Sequence, residues 1–81
     1  MHIQLLQGVY NKSGSLEIIT KMIHIIIKYH EQKINTANSE AEIKSYETKI
    51  TRLQKELFNF QKGIDENNEQ LKLDVTIKVL N

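Results

Sequence analysis

The side chains of this sequence that change charge near neutral pH from an unperturbed start are three histidines, His2, His24 and His30. A metal centre or a general base with its partner would need at least two such groups on one face. His24 and His30 are six residues apart, and at roughly 100° per helical residue that spacing turns them to different faces. His2 is terminal. His24 shares a polar stripe with Lys28, as solvated surface does, and His30 sits beside Glu31 at the rim of an apolar arc, where a hydrogen bond at a helix interface is expected. There is no cysteine, which excludes thiolate metal sites and disulfides. Gly8, Gly14 and Gly63 are isolated, so none builds a phosphate-cradling loop. No serine or threonine lies in a nucleophile motif. The paired carboxylates, Glu40 with Glu42 and Asp65 with Glu66, fall at a helix start and a helix end, where charge is structural or solvating. No enzymatic activity, metal or other cofactor is expected.

A basic stripe is the second chemical feature. Lys44, Lys55 and Lys62 fall within a narrow arc of one helix with Arg52 adjacent, and in a dimer they amount to about eight charges, enough for salt-dependent contact with a nucleic-acid backbone. Against this stand ten acidic residues beside eleven basic ones, a net charge of +1, and a single arginine, the residue type that bidentate base and phosphate contacts favour. Glu40→Lys44 and Glu17→Lys21 are also spaced as i,i+4 pairs on a solvated face. The opening order strand-helix-helix resembles that of ribbon-helix-helix repressors, whose dimers place paired N-terminal strands in the major groove. The resemblance covers element order only. Helix 1 is much longer here, the outward strand positions His2, Gln4 and Leu6 lack basic character, and a second strand follows.

The elements that would carry these residues can be read from periodicity. Residues 2–10 are apolar-rich, with Ile3, Leu5 and Val9 on one parity and Gln7 intruding, and they are read as a strand. The cluster Asn11–Ser15 has loop composition. From 15 to 34 the chain reads as a helix, with Ser13 or Ser15 as N-cap and Glu17 in the first turn. Its isoleucine runs would suit a strand, but Glu17, Thr20, Lys21, His24, Lys28, Glu31 and Gln32 collect in one arc of about 120° when wound at 100° per residue. Ser39-Glu40-Ala41-Glu42 is a capping box opening a second helix over 40–64. Ile43, Tyr46, Ile50, Leu53, Leu57, Phe60 and Ile64 space it as a coiled-coil seam. Residues 71–80 alternate strictly, with Leu71, Leu73, Val75, Ile77 and Val79 on one face. The short link at 35–38 makes the helices an antiparallel hairpin. The expected fold is α+β, a single β-α-α-β domain in which the hairpin packs on a ribbon of the two strands.

Helix 1 carries more apolar surface than this arrangement can cover. Its arc of roughly 240° needs two packing surfaces, and a two-stranded ribbon about 5 Å wide covers one helix of a pair set about 10 Å apart. The expectation is a two-fold homodimer, joined through strand edges or helix faces, with Ile18, Met22, Ile25, Ile26, Tyr29 and the off-seam Phe58 as candidate interface residues. A protein partner could add to the free edge of the last strand, or to a part of helix 2 expected to overhang helix 1 by about 8 Å. The polar face of helix 1 mixes Glu17 and Glu31 with Lys21 and Lys28, unlike the Lys/Arg-rich face of a membrane-surface helix. No apolar run approaches the roughly 20 residues of a bilayer span, and the N-terminus has no basic region or cleavage site of a signal peptide, so a cytoplasmic protein is expected.

Overall fold

Asn11 decides where the first strand stops. In the computed structural model, which describes residues 1–64 and 69–81, β1 spans His2–Asn11 and α1 follows without a loop at Lys12–Thr36. Asn11 is the N-cap, extended in backbone, and its side-chain Oδ1 accepts the Gly14 N–H at 2.6 Å. The residues expected to form a loop are therefore the first helical turn, and the cap is neither Ser13 nor Ser15. Gly14 permits this closeness, because a Cβ there would sit 2.9 Å from Asn11 Oδ1. Ser15 is instead fully buried, its hydroxyl donating to the Tyr10 carbonyl at 3.4 Å. The earlier start moves Glu17 out of the first turn, which holds no acidic residue. The Lys12 N–H donates to the Glu69 carbonyl at 2.9 Å, tying the start of α1 to the chain entering the second strand.

α2 spans Glu40–Gly63 behind the expected Ser39 cap, whose hydroxyl accepts the Glu42 N–H at 3.2 Å. The Glu42 carboxylate reaches back one residue further than in a standard box, accepting the Asn38 N–H at 3.3 Å. The expected seam is the observed one: Leu53 and Leu57 are buried, and Ile43, Tyr46, Ile50, Phe60 and Ile64 are half-buried. His30 and Tyr46, placed on either side of the 37–39 link, bring their rings to 5.8 Å, so the hairpin is antiparallel. α1 has 25 residues and α2 has 24, so among the described residues α2 is not the longer helix that the expected overhang requires. The reason is again the earlier start of α1. Any continuation of α2 over 65–68, and with it the Asp65–Glu66 pair, lies outside the described residues.

β2, Gln70–Lys78, pairs antiparallel with β1. Tyr10 faces Leu71, Gly8 faces Leu73 and Leu6 faces Val75, and then the register slips: Gln4 pairs with Thr76 and Ile3 with Ile77. Leu5 is the extra residue of a β-bulge. Because strand side chains alternate, one inserted residue swaps the faces on either side of it. The half-buried positions of β1 are thus Leu6, Gly8 and Tyr10, whereas Leu5 and Val9 are exposed, a correction to the parity expected for this strand. Gly8 has φ +152°, a backbone conformation that side-chain-bearing residues rarely adopt, and the Tyr10 ring lies 3.7 Å from where its Cβ would be.

Packing is sparse. Ile27, Leu53 and Leu57 are the buried apolar residues among those described. α1 lies against α2 and touches the ribbon, whereas among the described residues the backbone of α2 stays more than 8 Å from either strand. The radius of gyration is 15.3 Å, against about 12 Å for a compact chain of this length. The molecule measures 46 × 31 × 14 Å, a flat plate rather than a sphere.

Candidate interaction surface

The far side of α1 is the main apolar surface left open. Taking Ile27 as the direction of α2, a turn of 100° per residue puts Ile18, Met22, Ile25 and Tyr29 within about 40° of the opposite direction, with Ile26 on one flank. Ile25 is 69% exposed, and Tyr29 and Ile26 are exposed beside it. Ile18 and Met22, nearer the ribbon end of the helix, are half-buried. Five of the six candidate interface residues therefore share one stripe. Phe58, 61% exposed, does not join them: it lies on α2 with the Lys62 ammonium 6.0 Å from its ring centre.

The ribbon adds a second open region that sequence reasoning missed. Ile3, Ile77 and Val79 are exposed toward the free end of the ribbon, where Met1 and Val79 exchange backbone hydrogen bonds at 2.8 and 3.3 Å. Two signals could have revealed it. Leu5-Leu6 are consecutive apolar residues and Gln7 breaks the parity, which together mark a bulge. The opposite face is polar, with Gln4 Nε2 donating to Asp74 Oδ1 at 2.9 Å and Thr76 Oγ1 to the same oxygen at 3.3 Å.

Lys44, Arg52, Lys55 and Lys62 are all exposed on the side of α2 away from α1. Lys44, Arg52 and Lys55 line a shallow groove of about 520 Å³ with Glu47, Thr48 and Thr51. Among the described residues none of these four cations forms an ion pair; the one pair found is Lys21 with Glu17 at 2.7 Å. The expected Glu40→Lys44 partner is thus not made, whereas the Glu17→Lys21 pair is. A second hollow, about 380 Å³, opens on the ribbon between Gly8 and Leu73 and is bordered mostly by apolar surface.

The histidines are kept apart. His24 is exposed, and the half-buried His30 stacks between Tyr29, edge-on at 5.6 Å, and Tyr46. Its Nδ1 is buried without a hydrogen-bond partner among the described residues. No group of three or more His, Asp or Glu side chains among the described residues is placed to hold a metal ion. Among those same residues, no helix is long and apolar enough to cross a membrane. Compared with protein-family models, curated proteins and solved structures, the chain matches none at a significant level.

Proposed function

We propose that this chain is a small homodimeric structural or protein-interaction module without enzymatic activity. The observation that carries the reading is surface in excess of mass. A compact monomer of 9.5 kDa exposes about 5,000 Å², and this chain exposes 6572 Å². The surplus, about 1,500 Å², is of the size that each subunit of a permanent complex removes from water. Its apolar part lies on the far face of α1 and at the ribbon end. A free β2 edge offers a further place for an extended segment of a protein partner to add. Sedimentation equilibrium at micromolar concentration tests the reading: a mass of about 19 kDa, twice the 9.5 kDa chain, is expected. A folded 9.5 kDa monomer would overturn it.

A second reading draws on the unpaired cations of α2: a small nucleic-acid-associated regulator binding through Lys44, Arg52, Lys55 and Lys62. It predicts a duplex mobility shift at low salt that is lost on the order of a hundredfold in affinity by 200 mM salt. Absence of any shift at low salt removes it.

A further inference from the structure

We infer that the surface closing over α1 is α1 of a second copy, laid antiparallel so that Ile18 meets Tyr29 and Met22 meets Ile25 across a two-fold axis. The inference rests on the homodimer reading and specifies its contact. Three observations lead to it. The first is spacing. Along this stripe, half-buried at Ile18 and Met22 and exposed at Ile25 and Tyr29, the four residues are separated by four, three and four positions, an order that reads the same in both directions. A second copy running the opposite way therefore presents the same knobs at the same heights, over roughly 16 Å of helix.

The second observation is charge at the borders. Lys28 and Lys33 lie on opposite edges of the stripe, five residues apart, and in a parallel pair opposite edges face one another. Each Lys28 would then approach the Lys33 of the other copy, twice by symmetry, with the helix dipoles aligned as well. Antiparallel packing keeps like edges together and sets Lys28 of one copy between Glu17 and Lys21 of the other, which already neutralise each other in an ion pair at 2.7 Å. With a net charge of +1, two copies meet with little overall repulsion.

The third is geometry on the opposite side. α2 occupies the Ile27 side of α1, and among the described residues its backbone stays more than 8 Å from either strand. A copy placed on the Ile25 side completes a single layer of four helices, α2-α1-α1-α2, about 30 Å between the outer axes. This uses the flatness of the subunit and leaves the α2 cations and Phe58 on the outer rims, free of the contact.

The absence of cysteine makes the test clean. A spin label on the single thiol of the Asn35→Cys variant, at the exposed far end of α1, reports the arrangement in an otherwise unaltered chain. Antiparallel packing centred between Met22 and Ile25 sets the two labels roughly 35 Å apart, whereas parallel packing brings them to about 10–20 Å. Sedimentation of Ile25→Glu, with Phe58→Glu as the comparison, gives the second readout. Ile25→Glu is expected to weaken the dimer on the order of a hundredfold, and Phe58→Glu to leave it intact. A dimer whose labels lie outside about 30–40 Å, or one as strongly held in Ile25→Glu as in the unaltered chain, overturns this contact while leaving the homodimer standing. An unaltered chain that sediments as a monomer overturns both. If Ile25→Glu fails to fold, the label distance decides alone.

Discussion

Asn11 and Glu17 show how single side chains act in this fold. Asn11 ends β1 and opens α1 with one hydrogen bond to Gly14, so Asn11→Ala should cost about 1 kcal/mol in urea unfolding. Gly14→Ala should also destabilise, because its methyl group would press on the capping oxygen. Glu17 is held below the usual carboxylate range, first by the hydrogen bond that the Lys21 ammonium donates and then by its charge. A lowered folded value means that the contribution of this pair is present above the ordinary carboxylate range and is lost as pH falls through the lowered one. The pair is fully exposed, so salt should weaken it. An NMR titration is expected to find the Glu17 midpoint below the ordinary carboxylate range and to see it return in Lys21→Met. Both residues sat inside spacings visible in the sequence. Which oxygen capped the helix was not visible, because Asn11, Ser13 and Ser15 are equally good caps and burial of Ser15 selected among them.

At the scale of elements, the helices were legible and the first strand was only half so. The seam from Ile43 to Ile64 names its own buried face, because a 3.5-residue repeat permits a single orientation. β2 alternates without interruption and its half-buried Leu71, Leu73 and Val75 follow the pattern. β1 is different. Its apolar residues fit either parity, and pairing with β2 resolved the ambiguity by leaving Leu5 unpaired as a bulge. A bulge twists an edge and discourages pairing with other chains. β2 has no bulge among its described residues, and the two exposed lysines along it, Lys72 and Lys78, would discourage edge pairing in its place. The double variant Lys72→Val, Lys78→Val is therefore expected to lower solubility, measured as protein remaining in the supernatant after concentration. Unchanged solubility would mean that the lysines do not guard the edge.

The whole molecule is a plate that stops short of a closed core. With three buried apolar residues among those described, the chain by itself has a small margin of stability, which a partner covering its open apolar surface would raise. If that partner is a second copy, folding and association are one equilibrium, and the thermal midpoint should rise by several degrees over a hundredfold increase in concentration. A midpoint independent of concentration would contradict this. The open stripe on α1 was legible as a candidate: Ile18, Met22, Ile25, Ile26 and Tyr29 emerge from helical winding alone. Phe58 was grouped with them on the sequence, and the fold separates it onto the outer side of α2.

The sequence by itself determined the order of elements, the seam of α2 and the excess of apolar surface on α1. Each of these follows from local periodicity, which winding at 3.6 or alternating at 2 residues converts directly into a face. The tertiary structure decided the bulge at Leu5, the start of α1 at Lys12, the near-equal helix lengths and the separation of α2 from the ribbon among the described residues. Those features depend on which distant residues meet, here Asn11 with Gln70 and Lys12 with Glu69 at the junction of strand and helix. Pairing across almost the whole chain is a property of closure, and no local pattern encodes it.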